Sequence, residues 1–239
     1  MTDNERPQSN CETCPTRRFT EWQQLSQDEL KSLSAAKRTR TLSAGTSLYN
    51  QGDVADGIYC IQSGLVGLRL VDEQGNSTLL KTVSGGATIG YKSLLGKQPH
   101  TMSAETLLPS DVCFIEKSFL AGMLARNPSL GERFLEHALT DIRELEANYA
   151  RSLTMDAKAR FIHLVLVYYH QTGFRDESGN PSVDIPIKRS DLAEQLGVQP
   201  ESMSRLIKKL QTEGLLRVED RRVTITKFEY AMFVAGITL

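Results

Sequence analysis

Four cysteines carry the most distinctive chemistry in this sequence: Cys11 and Cys14 in a Cys-x-x-Cys spacing, then Cys60 and Cys113. Thiols at that spacing can close a disulfide reversibly or bind iron as thiolates, so a redox pair and an iron–sulfur ligand set are both open readings. Cys60 lies in an apolar run of strand character, where a small core residue is the plain alternative. The second group lies in 188–210, where Gln199, Glu201, Ser202, Ser204, Arg205 and Lys208 would point outward from a single helix. An arginine can donate two hydrogen bonds to guanine O6 and N7, and a glutamate can accept from the cytosine amino group, so Glu201 and Arg205 one turn apart can read neighbouring base pairs. Arg221 and Arg222 sit near the tip of a hairpin predicted over 217–226, within reach of phosphates.

These side chains need elements to hold them. A short helical pattern runs from Phe19 to Ala35, after a polar start expected to be disordered. Between Thr41 and Glu116, short β-prone runs such as Leu65-Val-Gly-Leu-Arg-Leu-Val alternate with Gly-rich turns, which predicts an antiparallel β-roll. From Asn127-Pro128 onward, Leu130, Phe134, Ala138, Ile142, Leu145 and Tyr149 recur at helical spacing, either as a dimer seam or as a face packed on the chain's own roll. A second apolar helix over 157–171 and a polar surface loop over 172–182 lead to two short helices around Gly197. Ser190 is expected to cap the first of these and Pro200 to open the second. Leu192, Ala193, Leu196, Met203, Leu206, Ile207 and Leu210 would form their shared core. The fold class is therefore α+β: an N-terminal Cys-containing segment (1–24), a sensory β-roll with flanking helices (25–126), a dimerisation helix (127–155) and a winged helix-turn-helix domain (156–239).

The chain has 239 residues, enough for two modest domains, and a formal charge of −1, so no global field draws it to nucleic acid. Residues 188–222 hold eight Lys/Arg against six Asp/Glu, so any attraction to DNA is local. The sequence contains neither a signal-peptide-like start nor an apolar run long enough to span a bilayer, which predicts a cytoplasmic protein without membrane contact. Enzymatic readings fare poorly. A cupin-type metal site needs several histidines inside the roll, which offers only His100, while His137 and His170 are expected on solvated helix faces and His163 inside an apolar helix. No nucleophile elbow marks out a Ser, His and Asp set.

The order of parts and four stretches of sequence resemble the CRP/FNR family, that of the cyclic-AMP receptor protein and the fumarate-nitrate reduction regulator. The stretches are Gly45-Thr-Ser-Leu-Tyr-Asn-Gln-Gly-Asp, Gly57-Ile-Tyr-Cys-Ile-Gln-Ser-Gly-Leu-Val, Gly90 after the Gly85-Gly86 corner, and Gln199-Pro-Glu-Ser-Met-Ser-Arg. The last is similar to the family's Glu-Thr-x-x-Arg recognition helix, with Ser202 in the Thr place. Glu201, Ser204 and Arg205 together look like the FNR branch, which implies a homodimer on double-stranded DNA with TTGAT-like palindromic half-sites and RNA polymerase as a protein partner. Two-fold dimers of this type place their recognition helices about 34 Å apart.

The resemblance also bears on the signal. The family's cyclic-nucleotide pocket uses a Glu after the Gly for ribose and a downstream Arg for phosphate. Here Tyr91 follows Gly90, and Pro99-His100-Thr101 stands in the Arg region, so a cyclic nucleotide is not expected. Gly90, Tyr91, His100 and Thr101 are instead the candidate lining of some other ligand pocket. Cys11, Cys14 and Cys113 fall at positions resembling three ligands of the FNR iron–sulfur cluster, with Thr20 near the place of the missing fourth thiolate and Cys60 as an alternative fourth. A cluster, a redox-active pair at Cys11 and Cys14, and cysteines without a sensing role are the three readings.

Overall fold

A computed structural model describes residues 10–236; the polar start expected to be disordered lies, over 1–9, outside the described residues. Two short 3-10 turns, Arg17–Phe19 and Glu21–Gln24, precede helix α1 (Gln27–Ala36). The single helical stretch predicted over 19–35 breaks at Ser26, which caps α1. Its Oγ accepts from Glu29 N at 3.3 Å and its own N–H donates to Glu29 Oε2 at 2.8 Å, so cap and third helical residue satisfy each other.

Eight strands follow: β1 (Arg38–Leu42), β2 (Ser47–Tyr49), β3 (Gly57–Ser63), β4 (Leu65–Val71), β5 (Ser77–Ser84), β6 (Thr88–Ile89), β7 (Ser103–Thr106) and β8 (Ser110–Glu116), with helix α2 (Tyr91–Leu95) between β6 and β7. All pair antiparallel, in two sheets of order β1-β8-β3-β6 and β2-β7-β4-β5, the roll that the spacing predicts. Strand alternation gives the first sheet two different faces. Ile61, Ile89 and Val112 turn inward and meet Val66, Leu68, Val83 and Ala104 of the other sheet. Ile58 and Ile115 turn outward, under Trp22, Leu30, Leu33, Leu120, Leu130 and Phe134. Side chains such as Ile58 and Phe134, 0% and 1% exposed, each contribute about 1.5–3 kcal/mol by leaving water.

Helices α3 (Lys117–Arg126) and α4 (Pro128–Thr154) follow. Of the apolar positions predicted along α4, Leu130 and Phe134 are buried on the chain's own core with Ala138 beside them, whereas Ile142, Leu145 and Tyr149 are exposed. They share that exposure with Leu135, Leu139 and Leu153. The chain divides into two compact units between Arg143 and Glu144, inside α4.

The second unit contains α5 (Ala157–Thr172), β9 (Phe174–Arg175), β10 (Pro181–Asp184), α6 (Arg189–Leu196), α7 (Pro200–Thr212), β11 (Leu216–Glu219), β12 (Arg222–Ile225) and α8 (Phe228–Val234). The stretch over 172–182, read as a loop, forms the β9–β10 hairpin of a four-stranded sheet, because Asp176 Oδ1 accepts from Ser178 N and Asn180 N and folds the turn. Ser190 does not cap α6: Lys188 is the cap residue, and Ser190 lies inside the first turn.

Candidate functional site

Helices α6 and α7 are joined through Gly197, whose backbone is left-handed at φ 64°, ψ 38°, a conformation that costs a side-chain-bearing residue energy. Pro200 is the first residue of α7, where its missing N–H is not needed. Met203, Ile207 and Leu210 face inward with Leu192, Ala193 and Leu196; Leu206 is only half-buried. That packing turns Gln199, Glu201, Ser202, Ser204, Arg205 and Lys208 outward, all exposed. Ser204 Oγ donates to Pro200 O at 3.1 Å. Glu201, Arg205 and Lys208 at spacings of four and three make one stripe along α7. At the β11–β12 turn, Asp220 adopts φ 54° and Arg221 is exposed. Arg222, the first residue of β12 beside that turn, donates from its guanidinium to both Asp184 oxygens at 2.7 and 2.9 Å and lies over the Phe174 ring. That pair keeps the Asp184 carboxyl below the usual carboxylate range.

The four cysteines line a single small cavity of about 30 Å³ between the N-terminal segment, the end of α1 and the outer face of β3 and β8. Cys60 and Cys113 are directly opposite in the β3–β8 register. Cys60 Sγ accepts from Trp22 Nε1 at 3.2 Å, and burial, helped by Cys113 and Glu21 nearby, pushes its thiol up. Lys37, 2% exposed, donates from Nζ to Cys113 Sγ at 3.5 Å. Cys11 and Cys14 form a turn, with Cys14 N bonded to Cys11 O. Burial pushes the Cys14 thiol up, but hydrogen bonds with Thr16, Gln62 and Arg17 outweigh it and the thiol ends below its ordinary value. Thr20, at the place of the absent ligand, also lines the cavity, and its hydroxyl caps the second 3-10 turn by accepting from Trp22 N.

An iron–sulfur cluster is held by thiolates, normally four of them. The donor number is present, yet among the described residues no three Cys, His, Asp or Glu are placed to hold a metal ion. The cavity has room for about one or two waters. As arranged, these residues do not fit a four-thiolate cluster.

The four pocket candidates separate. Gly90, at φ 81°, lies beside His100, whose Cε1 would be 3.3 Å from an added Cβ. His100, in the loop between α2 and β7 as expected, is buried there; it stacks on Tyr49 at 3.8 Å, and burial lowers its basicity. Tyr91 faces away from the roll interior: its hydroxyl donates to Asp141 Oδ2 at 2.8 Å and its ring packs on Phe134 and His137. Thr101 is exposed.

Sequence reasoning missed the polar anchor on α4. His137, expected in solvent, is half-buried and bonded through Nδ1 to Glu21, whose carboxylate also accepts from Thr88. Arg133 donates to Glu21 O at 2.7 Å. Burial alone would raise the Asp141 carboxyl, but hydrogen bonds from Lys81 and Tyr91 and the charges of Lys81 and Lys92 hold it down to about 2. These pairings join residues far apart in sequence. Only the position of Trp22, the sole tryptophan, between the Cys-x-x-Cys and the α1 cap could have hinted at them. The Glu21 bond raises the His137 pKa, so the pair stabilises the fold fully below the ordinary histidine value near about 6.5 and that stability is lost as pH climbs through the raised value. Thermal midpoints from about pH 6 to about pH 9 should therefore fall more steeply for the native chain than for His137→Gln. Parallel curves would remove the pair from the stability account.

Residues 39–127 match the family model of the cyclic nucleotide-binding domain, and 159–230 match the Crp-like helix-turn-helix domain. The fumarate and nitrate reduction regulatory protein of Vibrio cholerae is 24% identical over 233 residues, 96% of this chain and 91% of the relative. The transcriptional activator protein FnrL of Cereibacter sphaeroides is 25% identical over 233 residues, 95% and 92% of the two chains. Among solved structures, FixK2 from Bradyrhizobium japonicum superposes with a TM-score of 0.73 at 16% identity, over 85% of this chain and 99% of that one. A CRP-family transcriptional regulator from Thermus thermophilus gives 0.70 at 22% identity, over 83% and 97%. Among the described residues no helix is long and apolar enough to cross a membrane. The roll, the helix-turn-helix and these full-length relatives agree, and the chain belongs to the CRP/FNR family of transcription regulators.

Proposed function

We propose that this regulator acts in the cytoplasm as a homodimer on a TTGAT-like palindrome, works by binding rather than catalysis, and answers to redox or oxygen state at its cysteines. The working division is a Cys-containing segment over 1–24, the sensory roll over 25–126, a dimerisation helix over 127–155 and the DNA-binding domain over 156–239. The observation that carries the reading is the α7 stripe, where Glu201, Arg205 and Lys208 stand exposed on a helix whose opposite side is fixed in a core. Arg205 and Glu201 read base edges, Gln199, Ser202 and Ser204 add short contacts, and Lys208 and Arg221 hold phosphates. Arg222, paired with Asp184, braces the wing beneath Arg221. The exposed Leu135, Leu139, Ile142, Leu145, Tyr149 and Leu153 side of α4 meets the second copy, and the assembled dimer engages RNA polymerase.

The phosphate roles give the experiment. Lys208→Ala or Arg221→Ala should weaken binding evenly on a TTGAT-N₄-ATCAA duplex and on a permuted one, and each lost contact should flatten the log–log salt slope by about 1. A loss confined to the palindrome would reassign that residue to base reading; an unchanged slope for both would remove the α7 and wing surface from DNA.

A further inference from the structure

We infer that the cavity holds two disulfide-forming pairs in series, the Cys11/Cys14 turn as entry and the cross-strand pair Cys60/Cys113 as a buried store, with a peroxide as oxidant. Residues directly opposite in an antiparallel pair have Cα atoms about 4.5–5.5 Å apart and side chains on one face, within the range a disulfide spans. Cys60 and Cys113 meet that condition by register, and both open onto the cavity that Cys11 and Cys14 line. Gln62 joins the pairs: it lies two residues after Cys60 on the same face of β3, and its Nε2 donates to Cys14 Sγ at 3.7 Å.

The steps balance. Cys14 is the partly exposed member of the turn, and its thiolate attacks one peroxide oxygen; the O–O bond breaks, the departing hydroxide takes a proton as water, and Cys14 becomes a sulfenic acid. Cys11 sulfur displaces the second oxygen as water and closes the first disulfide. Cys113, with Lys37 Nζ donating to its sulfur, then attacks that disulfide, one thiol of the turn leaves, and Cys60 closes on Cys113 as the other leaves. The two protons lost by the strand pair reappear on Cys11 and Cys14. The net change is two thiols and one hydrogen peroxide to one disulfide and two waters.

The buried pair is the one wired to α4. Cys60 accepts from Trp22 Nε1, Trp22 stands edge-on to Phe134 at 5.7 Å, and the neighbouring Glu21 bonds His137 and, through its carbonyl, Arg133. Closing Cys60 onto Cys113 removes the thiol that Trp22 donates to and resets that anchor. The link from there to DNA rests on the regulator reading; the thiol chemistry does not.

The test uses full-length, reduced, iron-free protein without DNA, treated with equimolar hydrogen peroxide, alkylated at intervals and mapped by mass spectrometry. The Cys11–Cys14 disulfide should appear first and give way to Cys60–Cys113, with the fluorescence of Trp22, the sole tryptophan, changing in step with the second. Cys60→Ser should accumulate a mixed disulfide between Cys113 and the turn, and joint Cys11→Ser and Cys14→Ser should slow the strand disulfide about tenfold or more. The wild-type time course decides by itself if a variant misfolds. Oxidation that ends at Cys11–Cys14 with Cys60 and Cys113 still alkylated after unfolding would overturn the inference. So would a strand disulfide equally fast without the turn, or anaerobic iron and sulfide loading that shields all four cysteines from alkylation.

Discussion

Arg205→Ala should sharply reduce the preference for the palindrome while leaving the fold intact. The side chain is exposed on α7 and its neighbours Met203 and Ile207, not Arg205, hold the helix to α6, so alanine there keeps both packing and helix propensity. A guanidinium bidentate to guanine discriminates by about 1–3 kcal/mol, and a two-fold dimer makes the contact twice. The expected loss on the TTGAT-N₄-ATCAA duplex is about 2–6 kcal/mol, roughly 30-fold to 10⁴-fold in Kd, with affinity for a permuted duplex lowered only by the missing charge. Competition titrations at fixed salt measure both. Equal losses on the two duplexes would make Arg205 a phosphate contact.

Ile142→Glu should have an effect of similar size by a different route. Ile142 is 51% exposed on α4, in line with Leu135, Leu139, Leu145 and Tyr149, an apolar stripe that the chain's own core does not cover. In a two-helix seam each copy would bury that side chain for about 1.5–3 kcal/mol, and a carboxylate in its place is buried without a partner, once from each copy. Dimer affinity should drop on the order of 10³-fold or more, since glutamate forms helix as well as isoleucine and leaves the monomer folded. Sedimentation at micromolar concentration would show a monomer with native circular dichroism. A dimer of unchanged affinity would move the seam off α4.

How much of this was legible in the sequence depends on the range of the interactions. The roll and the helix-turn-helix are written in local signals: strand alternation, the Gly197 corner, Pro200 at a helix start and an inward Met203/Ile207/Leu210 row. Errors of detail came where one local signal outweighed another, as when the Ser26–Glu29 capping box divided a helical stretch and the Asp176 turn made a hairpin of a polar segment. The cysteine cavity was half legible. The Cys11/Cys14 spacing and Cys113 were visible, but the pairing of Cys60 with Cys113 is a register fact, and Lys37 beside Cys113 spans 76 residues. The His137 bond to Glu21 spans 116 residues and joins a polar position on α4 to a buried glutamate, which no periodicity encodes. Arg222 looked free at a basic turn, yet its partner Asp184 comes from the neighbouring strand.

A two-fold protein on a two-fold site fixes the mass of its complex with DNA. Native mass spectrometry of the wild-type chain with the TTGAT-N₄-ATCAA duplex should give two chains per duplex, with a permuted duplex binding about 10³-fold or more weakly. One chain per duplex, or equal affinity for both sequences, would contradict the account.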